Sequence, residues 1–91
     1  MLCARGGYGA AWLLPYIDWS VVRRHPKVFV GYSDITALHC AVRREAGFVT
    51  FHGSMVARQG DEPELHPWSA DALRRAITSA APLGSISSPG G

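Results

Sequence analysis

The run Lys27-Val28-Phe29-Val30-Gly31 is β-branched and aromatic, and it passes almost at once into a stretch of helical period. Ile35, Leu38 and Val42 recur at three and four residues between Asp34 and Glu45, and Gly47 is placed to end that helix. Phe48-Val49-Thr50-Phe51 then reads as a further short strand. Strand, helix and strand in this order predict α/β architecture with a partial parallel sheet and flanking helices.

The flanks extend the pattern. Met1 to Ala4 reads as the end of a buried strand that enters the glycine-rich turn Arg5-Gly6-Gly7-Tyr8-Gly9. Ala10 to Leu14 suits a short helix stopped near Pro15. Asp18 is placed to cap a second helix through Arg24, with Pro26 after it. His52 to Trp68, rich in charges, Gly and Pro, reads as a long loop. Ser69 is expected to cap a helix from Ala70 to about Ser79, with Leu73 and Ile77 inward and Arg74 and Arg75 outward. Pro82 to Gly91 reads as a linker. The 91 residues make at most one domain, and three short strands are too few for a complete sheet.

Composition excludes several classes. Nine Lys and Arg against seven Asp and Glu leave a net charge of +2, too small and scattered for a nucleic-acid surface. The pairs Arg23-Arg24, Arg43-Arg44 and Arg74-Arg75 read as solvated helix faces. No apolar run approaches the roughly 18 residues of a membrane helix, and no signal peptide is visible. Cys3 and Cys40 have neither zinc nor redox spacing and read as reduced, buried thiols of a cytoplasmic protein.

Ser33 falls between a strand and a helix, where a sharp turn exposes a nucleophile in α/β hydrolases. There the amide of Asp34 lies at a helix N-terminus and can donate to an oxyanion. The pattern G-x-S-x-G is incomplete, because Ile35 takes the last glycine position. Taken alone, Ser33 reads more readily as a helix N-cap, a common role for serine. The glycine turn lets backbone amides approach a ligand closely, but it lacks the third glycine of a dinucleotide site and the Lys and Ser/Thr of a P-loop. In a parallel sheet both loops lie at the C-terminal strand ends, where ligands bind. His39, six residues beyond Ser33, sits about 9 Å along the helix axis and is misplaced for the hydroxyl. His52 ends a strand near the site edge; His25 and His66 each precede a proline in loops.

Several of these segments together are more specific. Cys3-Ala4-Arg5-Gly6-Gly7-Tyr8-Gly9, Leu13-Leu14-Pro15, Pro26-Lys27, Gly31-Tyr32-Ser33-Asp34-Ile35-Thr36-Ala37-Leu38-His39 and Thr50-Phe51-His52-Gly53 resemble the LD-carboxypeptidases. These are serine peptidases of the muramoyltetrapeptide carboxypeptidase type, and they include the microcin C self-immunity hydrolases. The resemblance is close over residues 1–55 and looser beyond. It implies Ser33 as nucleophile, and an oxyanion hole from the Asp34 amide and the amide of Gly6 or Gly7. It implies a base His oriented by a Glu, both from a C-terminal domain. It implies that residues 1–81 are part of an N-terminal α/β nucleophile domain and that 82–91 begin the linker. The substrate implied is a murein-derived peptide or related amide, cleaved before a terminal D-amino acid in cell-wall recycling. No cofactor, metal, nucleic acid or membrane is implied, and homodimers are admitted.

One departure is local: His52-Gly53-Ser54 stands where the family shows H-G-P. The sequence also reads as an internal piece of a longer protein or a truncated gene product, without positions for the Glu and His. Two other readings remain at this level: a non-catalytic α/β module that binds peptide or a partner, and a nucleotide-binding half-domain built on the glycine loop.

Overall fold

A computed structural model describes residues 1–53 and 65–87. The chain divides into two compact units, Met1–Arg58 and Gln59–Gly91.

The first unit is α/β, with helices around a small parallel sheet. Strand β1 (Val30–Gly31) pairs in parallel with β2 (Phe51–His52), with Val30 opposite Phe51 and Gly31 opposite His52. Leu2 adds a parallel bridge on the other side of Val30. The strands are shorter than the sequence implies. Lys27 to Gly31 shrinks to two residues, Phe48 to Phe51 becomes Phe51–His52, and Met1 to Ala4 contributes a bridge only. Apolar composition marks which residues are buried in a sheet; ladder length depends on how far the neighbours run alongside. Hydrogen bonds from Val30 N to Met1 O, Cys3 N to Val30 O, Phe51 N to Phe29 O and Gly53 N to Gly31 O complete the pairing. Val30 is fully buried at its centre.

The glycine turn leads into a 3-10 helix, Ala10–Tyr16, that runs through Pro15 instead of stopping before it. The fixed φ of proline suits 3-10 geometry, and its missing amide forfeits one bond. Helix α1 (Trp19–Arg24) is capped by Asp18, whose carboxylate accepts from the amides of Ser20 and Val21. The hydroxyl of Ser20 adds a third bond, and these contacts hold the Asp18 carboxyl below its ordinary value.

The long helix expected from Asp34 to Glu45 is present as three joined segments. A 3-10 turn (Ser33–Ile35) opens it, α2 (Thr36–Ala41) continues it, and a π-helical turn (Val42–Ala46) closes it. Gly47, at φ 79°, donates back to Val42 O and ends the helix as its position implies. The π turn leaves the Glu45 carbonyl to the guanidinium of Arg23, which donates to it from Nε at 3.0 Å and from Nη2 at 2.7 Å. Arg23 is therefore more than a solvated charge: it fastens α1 to the end of the helix.

Cys3 is half-buried and Cys40 exposed, so neither thiol is buried as expected, and the departure is greatest at Cys40. Its apolar sequence neighbours are distributed around the helix and do not enclose it.

In the second unit, α3 runs Pro67–Thr78, starting earlier than Ser69 predicts. Proline fits the first helical position, and the cap is His66, whose Nδ1 accepts from Trp68 N at 3.0 Å. Asp71 pairs with Arg74 and Arg75 on the exposed side, while Leu73 and Ile77 are half-buried. Most of the loop expected over His52 to Trp68, and the end of the expected linker, lie outside the described residues.

Candidate active site

The sheet sets two loops side by side at the C-terminal end of its strands. Beyond β1, Tyr32 is extended, with φ −139° and ψ 149°. Ser33 then turns to φ 56°, among the described residues the single non-glycine residue with positive φ. That left-handed conformation costs an L-residue about 1–2 kcal/mol. It is the strand-to-helix elbow that the sequence predicts, with Ser33 exposed at its tip. Tyr32, not Ser33, occupies the N-cap position, and no side chain caps the turn. The N-cap explanation for a serine here is thereby removed.

Gly31 explains the incomplete G-x-S-x-G pattern. A Cβ at Gly31 would lie 2.3 Å from Ile35 Cγ2, 2.8 Å from Ile35 Cβ and 3.3 Å from Cys3 Sγ. The Ile35 side chain covers the strand end where a second glycine would leave space. Close approach is secured by the glycine before the serine, and the position after it is free to be branched.

The glycine loop meets this elbow. A Cβ on Gly6 would come 3.1 Å from Ser33 Cβ, 3.1 Å from Tyr32 O and 3.6 Å from Asp34 N. Gly6 thus lies in contact with the backbone on both sides of Ser33. Gly7 follows at φ 112°, a conformation that favours glycine, and a Cβ there would meet nothing within 4 Å. The loop is tied down by Asp34, whose Oδ2 accepts from Ala10 N at 2.9 Å. Sequence reasoning assigned a role to the Asp34 amide and missed its carboxylate.

The histidines divide as follows. His39 Nε2 lies 3.1 Å from Gly31 O and Nδ1 lies 2.7 Å from Thr50 Oγ1. A carbonyl only accepts, so neutral His39 carries its proton on Nε2, and the Thr50 hydroxyl donates to Nδ1. Phe29 packs edge-on against the ring at 5.6 Å. His39 is a strut between strands and helix, a packed helix residue bonded to Gly31 and Thr50. His52 reaches the elbow, accepting from Ser33 N on Nε2 at 3.3 Å. His25 closes α1, and His66 caps α3. Among the described residues no group of three or more His, Cys, Asp or Glu side chains is gathered as metal ligands are.

The LD-carboxypeptidase N-terminal domain matches residues 1–53, more than half of the chain and the whole of the sheet, glycine loop and elbow. The chain belongs to the LD-carboxypeptidase family. It is 48% identical over 67 residues to the "Probable murein peptide carboxypeptidase" of Bacillus subtilis, covering 74% of this chain and 21% of that protein. It is 55% identical over 58 residues to a protein of Streptomyces coelicolor named as a carboxypeptidase, covering 63% and 19%. It is 36% identical over 74 residues to the microcin C7 self-immunity protein of Escherichia coli, covering 80% and 22%. The chain therefore spans about a fifth of the length of these curated relatives. Among the described residues no helix is long and apolar enough to cross a membrane.

Proposed function

We propose that the chain carries the nucleophile half of a serine L,D-carboxypeptidase site, with Ser33 attacking the amide before a terminal D-amino acid of a murein peptide. The supporting observation is the exposed Ser33 at φ 56° on a strand-to-helix elbow, with Gly6 packed against it. A strained, outward-facing serine beside a glycine loop is the arrangement that acyl transfer needs.

In this reading the Ser33 hydroxyl adds to the scissile carbonyl carbon. The carbonyl oxygen becomes an oxyanion that accepts from the Asp34 amide and from Gly6 or Gly7. The hydroxyl proton passes to a His oriented by a Glu, both supplied by a C-terminal domain, and then to the departing amine of the D-amino acid. Water releases the acyl group from Ser33. Residues 1–81 serve as part of the nucleophile domain and 82–91 lead toward the second. The two free thiols favour a cytoplasmic location.

A serine hydroxyl is a weak nucleophile without an adjacent base. His39 is held by Gly31 and Thr50, and the Nε2 of His52 by the Ser33 amide. The 91-residue chain alone is therefore expected to release no D-alanine from murein tetrapeptide. The test is a chimera in which residues 1–53 replace the matching segment of the Bacillus subtilis relative. Release of D-alanine that Ser33→Ala abolishes supports the reading; release that survives Ser33→Ala contradicts it.

A further inference from the structure

We infer that His52 is a positioning residue for the elbow, holding Ser33 in its left-handed conformation through the Ser33 amide. The inference rests on the reading of Ser33 as nucleophile and adds a residue to it. The first amides of a helix have no partner within the helix. At this elbow the Ser33 N–H finds one in His52 Nε2, at 3.3 Å.

His52 is placed there by the sheet. It stands opposite Gly31 in the β1–β2 register, two residues before the serine, and the bond from Gly53 N to Gly31 O at 2.9 Å fixes the strand end. Its ring packs near those of Tyr32, centroids 5.6 Å apart, and His39, 5.8 Å apart. His39 is itself held by Gly31 O and Thr50 Oγ1. Strand pairing, ring packing and a fixed neighbour thus converge on one orientation of the His52 imidazole.

An amide N–H can only donate, so Nε2 is the unprotonated nitrogen and neutral His52 carries its proton on Nδ1. Two consequences follow. The Ser33 amide is occupied, which leaves oxyanion donation to Asp34 and the glycine loop. The Nε2 lone pair faces backbone N–H and not the hydroxyl, so His52 acts through Ser33 geometry without accepting its proton.

Two measurements test this. In the 15N-labelled 91-residue chain, a scalar coupling across the hydrogen bond should link Ser33 N to His52 Nε2. A His52 protonated on Nε2, with no such coupling, overturns the inference. In the chimera, His52→Leu should lower kcat by roughly 10- to 100-fold with KM changed less than about twofold, the scale of loss for a misplaced reacting group. His52→Gln, whose amide oxygen reaches the place of Nε2, should recover most of that loss. Equal loss in both variants, or none in His52→Leu, overturns the positioning role while Ser33→Ala still abolishes release. Release that survives Ser33→Ala overturns the nucleophile reading instead.

Discussion

The carboxylate of Asp34 accepts the backbone amide of Ala10 at 2.9 Å, across 24 residues of sequence. One residue thereby serves both loops of the site. Its amide follows the serine at the elbow, and its side chain anchors the start of the 3-10 helix that ends the glycine loop.

Asp34→Ala should therefore destabilise the chain by roughly 1–3 kcal/mol, since it leaves a part-buried N–H without its partner. Asp34→Asn keeps an acceptor and should lose clearly less. Urea unfolding measures both. Equal stability of the wild type and Asp34→Ala would show that the bond does not hold the loop.

Gly31→Ala places a methyl group 2.3 Å from Ile35 Cγ2. Overpacking of this kind costs roughly 1–3 kcal/mol. Ile35→Ala removes the nearest atom, so the double variant should lose less than the sum of the single losses. Additive losses would mean that the two residues do not meet.

Ser33→Gly relieves the positive φ and should stabilise the chain by about 1 kcal/mol relative to Ser33→Ala, which keeps the strain. Thermal or urea unfolding of the two variants decides it. Identical stabilities would mean that the elbow stores no backbone strain.

Burial pushes the Cys3 thiol above its ordinary value, and Cys40 is exposed. A thiol-modifying disulfide reagent at neutral pH should react first at Cys40 and slowly at Cys3. Loss of the fast phase in Cys40→Ser confirms the assignment; a fast phase that remains refutes it.

Features set by local chemistry were legible in the sequence: the Asp18 cap, the Gly47 stop, the parallel strand–helix–strand order and the elbow at Ser33. Features set by distant neighbours were not. The strands shortened because ladder length depends on segments remote in sequence. The π turn at Val42–Ala46 has no composition signal of its own, although the Arg23 bond to Glu45 O accompanies it. His66 capped α3 where Ser69 looked the better candidate, because Pro67 fitted the first helical position. The roles of the Asp34 carboxylate and of His52 Nε2 exist only once the sheet has brought two loops together. His52 did carry one signal, its place at the end of the strand that follows the helix opened by Ser33.

The most direct test of the account is covalent labelling of the chimera with a fluorophosphonate, followed by peptide mass spectrometry. The account predicts a single adduct on Ser33 that parallels loss of D-alanine release and is absent from Ser33→Ala. Inhibition with the adduct on another residue, or full activity after Ser33 has been modified, would contradict it.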